Sequence, residues 1–349
     1  MRGLNREQIN HYLGVQPIVK VSDKEVLQYL VSPNTKSMLG IQKGARGPWS
    51  QAMVDTVEGE FPGDEVTNLN EHVISGGNKI RFPYLKSTLT GESGKLIVKR
   101  DQTKVVILGW YGKPGKDGPG QLIYKVAFRD RCFDGTPYAN DCSLQDFPRH
   151  DPELHKRLTD KMLSVELSTY GFLPGTRVRQ FVGDAEYENF IAKPFKFVEQ
   201  PEIFLKHFEQ VFKSSLAPGQ IAAPIPDMAA FMGPRVDEVA ISLGYDFAEG
   251  AASHYHVYRW GQAFGWRVTD PDKAAILAEL KAGLARLKEK GIRLTRSQES
   301  WVCVLQSLPR KHIPDNLYLG GATWQHDGLN KSYLWMHKPL TEKAKEIQL

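Results

Sequence analysis

The chain has 349 residues, 41% hydrophobic and 10% aromatic, with a net charge of +5 and a pI near 8.9. That length supports a sizeable core and more than one domain, and the composition excludes a disordered, collagenous or disulfide-stapled chain. Three cysteines make no disulfide framework, no run approaches the roughly 18–20 apolar residues of a membrane helix, and the N-terminus has no apolar signal region. The expectation is a soluble, cytoplasmic protein with no membrane partner. Its mild positive charge is densest from Lys281 to Arg296. Much of that stretch reads as the wet face of a helix, so nucleic acid is a lesser alternative as a partner.

In chain order, residues 4–13 and 23–31 read as short helices, the second capped by Ser22 with Asp23 and Glu25 in its first turn. A helix over 49–57 follows, with Ser50 near its start. From about residue 72 to 130 the pattern turns to strands. Lys95 to Arg100 and Lys104 to Trp110 are β-rich runs around Asp101-Gln102-Thr103, and Leu122 to Phe128 is a further strand. Asp151 and Pro152 open a helix over 151–166. Pro201 to Lys213 is a helix that buries Phe204, Phe208, Val211 and Phe212. Ser214 to Arg235, rich in Pro, Ala and Gly, reads as the main domain linker, and its apolar residues indicate that it packs.

Later, Trp266 to Thr269 reads as a strand. Asp270 and Pro271 then open a helix with an apolar stripe at Ile276, Leu277, Leu280, Leu284 and Leu287. Gly291 ends it, and Ile292 to Thr295 returns as a strand. A helix over 297–307 follows, then a hairpin from Leu317 to Gln325 and Tyr333 to His337. The fold class is α+β, with a β-rich N-terminal half that carries helices and a C-terminal α/β unit (strand-helix-strand) ending in a β-hairpin. The expected domains are 1–150, mixed with antiparallel hairpins; 151–215, helical; and 216–349, α+β and holding the candidate site.

The chemistry centres on His254-Tyr255-His256, inside the aromatic run HYHVYRWGQAFGW. If that run starts as a strand, His254, His256, Tyr258 and Trp260 share a face, and the two imidazoles can address one ion. A catalytic zinc site takes three protein ligands and a water whose pKa the metal lowers. His326 and His337 are candidates for the third metal ligand, with Asp270 and Asp327 as alternatives. Asp270 and Glu299 are the candidate catalytic acids for moving protons. The expected activity is hydrolysis of an ester, amide or phosphodiester, with zinc or another divalent metal. The competitors are histidines that simply pack among aromatics, a non-enzymatic binding or assembly protein, and a basic nucleic-acid-binding protein. With ten histidines in the chain, the spacing alone is a weak signal.

Two partial likenesses cover a few residues each. The pair resembles the His-x-His of nucleic-acid nicking enzymes, but the helices expected downstream hold no nucleophilic Tyr. Gly320 to Trp324 and His337 resemble the C-terminal segment of D-Ala-D-Ala carboxypeptidases, but the Asp that should follow the first His is absent. Neither defines a family.

Cys132, Cys142, His150 and His155 are four candidate zinc donors without the paired Cys-x-x-Cys spacing. The acidic stretch Asp55 to Glu65 reads as a solvated face, and Glu92 to Lys95 as a hairpin turn rather than the Glu-x-Lys of magnesium nucleases. No nucleotide cofactor motif is present.

Overall fold

Side-chain caps start several helices of this chain. The computed structural model describes residues 21–41, 49–54, 71–73, 79–81, 84–100, 104–112, 120–130, 164–174, 185–268, 270–324 and 334–346. Ser22 accepts the Glu25 N–H while the Glu25 carboxylate accepts the Ser22 N–H, and helix α1 (Asp23–Tyr29) follows, as its cap predicts. Ser32 caps α2 (Pro33–Met38), where Pro33 needs no hydrogen-bond partner at the first helical position. The helix expected over 4–13 lies outside the described residues.

The strands in chain order are β1 (Ser50–Val54), β2 (Glu71–Val73), β3 (Lys79–Arg81), β4 (Tyr84–Thr90), β5 (Gly94–Arg100), β6 (Lys104–Tyr111), β7 (Gln121–Asp130), β8 (Ser164–Gly171), β9 (Phe247–Ala252) and β10 (Leu334–Pro339). The later helices are α3 (Ala185–Ala192), α4 (Pro201–Phe212), α5 (Met228–Ser242), α6 (Tyr255–Ala263), α7 (Pro271–Glu289), α8 (Arg296–Leu305) and α9 (Glu342–Lys345). The fold is α+β, with a β-rich N-terminal half.

Two compact units interleave along the chain. The first comprises Met1–Pro174, Pro224–Glu249 and Pro339–Leu349; the second comprises Gly175–Ala223 and Gly250–Lys338. The first unit is built on a sheet in the spatial order β1-β4-β5-β6-β7-β8-β9, antiparallel except for the parallel β8–β9 pair. Gly91 N–H donates to Gly94 C=O at 2.8 Å, so Glu92 and Ser93 are hairpin turn residues between β4 and β5. Both sheet faces are buried. Ile97, Val106, Leu108 and Trp110 form a cluster on one, while Leu96, Val98, Ile107 and Val126 are buried on the other. The Tyr124 hydroxyl donates to the Leu30 carbonyl, and Arg100 reaches the Val21 carbonyl at 3.0 Å and Asp23 at 2.6 Å, fastening residues 21–30 to the sheet.

Two local expectations are corrected here. Residues 50–54 form β1, not part of a helix over 49–57, because five residues without a side-chain cap gain a full antiparallel ladder with β4, from Ser50↔Thr88 to Val54↔Tyr84. The described end of the helix expected over 151–166 is the start of β8, where Val165 pairs with both Asp130 and Ala248.

The second unit packs around Phe190, Phe204, Leu280, Trp301 and Leu305, all fully buried. Phe190 lies parallel to Trp301 with centroids 5.2 Å apart. α4 buries Phe204, Phe208 and Val211, and α7 buries Leu277, Leu280, Leu284 and Leu287, as their periodicity predicts. In place of the strands expected on either side of α7, Arg267 before it makes a single antiparallel bridge with His337 of β10, and residues 292–295 after it pair with no strand among the described residues, Ile292 and Leu294 packing against the core instead. The reversal at 325–333 lies outside the described residues. Residues 214–235 span the change of unit at 223/224 and run into α5, with Ala217, Ala222 and Ile225 buried. Among the described residues no helix is long and apolar enough to cross a membrane.

Candidate functional site

The His254 run is a helix, which corrects the strand expected for its first half. β9 ends at Ala252, His254 is the extended N-cap residue (φ −150°, ψ 164°), and α6 begins at Tyr255. Tyr255, Tyr258 and Gly261 recur every three residues and are buried, while Trp260 and Phe264, four apart, bring their rings to 4.9 Å. Helical spacing, not strand parity, decides which side chains meet.

His254 and His256 still come together. Their ring centroids are 5.9 Å apart, with planes 22° from parallel. Zinc held by two imidazole nitrogens at about 2.0–2.1 Å would place the centroids roughly 5–6 Å apart, so the spacing alone admits a shared ion. The first ring is the deeper one. His254 is 6% exposed, lies parallel to Phe195 at 5.7 Å, and has Nδ1 3.1 Å from the Ser253 hydroxyl. Gly219, at φ +79°, passes so close that a Cβ there would stand 3.1 Å from His254 Cε1. His254 Nε2 is buried and has no hydrogen-bond partner among the described residues.

His256 is half-buried and is gripped by Ser300 of α8. The Ser300 oxygen accepts the His256 backbone N–H at 3.3 Å and lies 3.1 Å from Nδ1. α8 is set by a capping box in which Thr295 accepts the Gln298 N–H and Gln298 accepts the Thr295 N–H. Burial pushes the His254 pKa well below its ordinary value, with His256 adding to the effect. Burial, then the Arg296 charge, pushes His256 down to about 4. Both rings are therefore neutral near pH 7.

The other expected residues have separate places. Asp270 is the N-cap of α7; its carboxylate accepts the Asp272 and Lys273 amides at 3.0 and 3.1 Å, with Lys273 Nζ at 3.4 Å. Glu299, beside Ser300, stands 3.6 Å from Arg259. His337 is buried in β10, its backbone exchanging two 2.8 Å hydrogen bonds with Arg267. His326, Asp327, Cys132, Cys142, His150 and His155 lie outside the described residues.

Among the described residues no three His, Cys, Asp or Glu side chains are grouped as a metal would require. The pair also sits at the N-terminal, positive end of α6, which lowers the affinity for a cation. These donors therefore fit a zinc centre only in part. Ser300 is the contact that sequence reasoning missed. It lies 44 positions from His256 in an ordinary amphipathic helix, and no sequence signal marks it. No known protein family, characterised protein or solved structure matches the chain.

Proposed function

We propose that the protein is a hydrolase of an ester, amide or phosphodiester bond, with the His254–His256 pair at its centre. One observation supports this above the others: two neutral imidazoles are held side by side, and one keeps a buried nitrogen without a partner among the described residues. An unpaired buried polar atom costs about 1–3 kcal/mol, so a site that maintains one is a candidate for use. A neutral imidazole can take a proton from water and return it to a leaving group. Of the two candidate acids, Glu299 is the one that neighbours Ser300, the serine that holds His256. In the metal-dependent form, zinc or another divalent ion would supply hydroxide. His254 and His256 would then be two ligands, with His326 or His337 as the third. A soluble, cytoplasmic location belongs to the same proposal.

The test is a panel of ester, amide and phosphodiester substrates with His254→Ala and His256→Ala. Each variant should lose about 10²–10⁴-fold in rate if its imidazole moves the proton. Elemental analysis and chelation decide the metal-dependent form, which fails if activity survives the loss of all divalent metal. A second reading, a non-enzymatic binding or assembly protein, is favoured by the packing of His254 between Phe195 and Gly219. It predicts no hydrolysis by the wild type and a large drop in Tm for His254→Ala.

A further inference from the structure

Ser300 is completely buried and has one hydrogen to donate. Its oxygen already accepts the His256 backbone N–H. Among the described residues the only other group within its hydrogen-bond reach is His256 Nδ1, at 3.1 Å. If Nδ1 carried the ring proton, the serine oxygen would receive two donors and its own hydrogen would have no acceptor. A buried donor left unpaired is costly, so nearly all such groups are paired. The arrangement that satisfies every atom has the Ser300 hydroxyl donating to Nδ1, with the ring hydrogen on Nε2.

We infer that Ser300 locks His256 as its Nε2–H tautomer, so that this ring offers a ligand a hydrogen-bond donor and takes an oxygen acceptor, carbonyl or phosphoryl, rather than a metal cation. Coordination of a neutral ring through Nε2 would move that hydrogen to Nδ1 and strand the one on Ser300, which counts against the metal-dependent form of the proposed function. Ser300 is thus a positioning residue: it holds His256 at two atoms, one in the backbone and one in the ring. The ligand class rests on the pair being the functional centre; the tautomer does not.

The experiment is long-range proton–nitrogen NMR on the full chain with nitrogen-15 histidine at neutral pH. The wild type should show His256 with a bare Nδ1 and a protonated Nε2. Ser300→Ala should move both nitrogens toward a tautomer average, and Ser300→Thr, which keeps the hydroxyl, should restore the bare Nδ1. If Ser300→Ala does not fold, the wild-type spectrum decides alone: a protonated Nδ1 overturns the inference. Added zinc should leave His256 Nε2 unmoved, and a zinc shift there overturns the donor role. Inorganic phosphate and N-methylacetamide separate the two acceptors by which one moves the Nε2–H resonance; silence from both overturns the ligand class. A protonated Nδ1 in an enzyme that His256→Ala inactivates sinks this inference and spares the hydrolase. A locked tautomer in a chain that hydrolyses nothing does the reverse.

Discussion

Phe195, Gly219 and Ser300 decide what His254 and His256 can do. The first two leave the His254 ring little space, and the third claims the polar edge of its neighbour. Burial keeps both rings neutral, which ties stability to pH. The folded pKa of His256 is about 4 against an ordinary 6.5, and that of His254 is also lowered. As pH falls below about 6.5 the unfolded chain binds protons before the folded one, so stability is lost between there and about 4 and is fully present above. Denaturant midpoints should therefore fall across that window, and His256→Asn should flatten the fall. An equal slope in the variant would show that this ring is not the source.

At the scale of elements, local chemistry and long-range pairing divide the outcome. α1, α4 and α7 were legible because a cap or an N-terminal proline and a periodic apolar stripe are written within a dozen or so residues. Asp270→Ala removes two amide acceptors at the start of α7, and a loss of about 1 kcal/mol in unfolding free energy is expected. Full hydrolytic activity in that variant would also remove Asp270 from the candidate acids. Sequence alone misassigns β1 because its strand character comes from the ladder with β4, thirty or more residues on. The His254 run is ambiguous in sequence because its aromatics stand at both strand and helix spacings. Burial of Tyr255 and Tyr258 against the second core selects the helix.

At the scale of the molecule, each unit gathers segments that are far apart in sequence. The final segment closes the first unit: Leu340 N–H donates to the Asp246 carbonyl at 2.8 Å, the Thr341 hydroxyl donates to the Asp246 carboxylate at 2.9 Å, and Ala344 is fully buried. Truncation after Lys338 should speed hydrogen exchange in the residues around Asp246 and lower the denaturation midpoint. Unchanged exchange there would mean that the segment adds nothing to the first unit.

The sequence by itself determined the α+β class, the β5–β7 meander and the helices marked by caps and apolar stripes, because those signals act over one or two turns or a single hairpin. It also brought two histidines to notice, without their setting. Only the tertiary structure decided that the pair stands at a helix start, beside Phe195 and under the grip of Ser300. Those partners are distant in the chain, and hydrogen bonds and ring contacts form between whatever groups folding brings together.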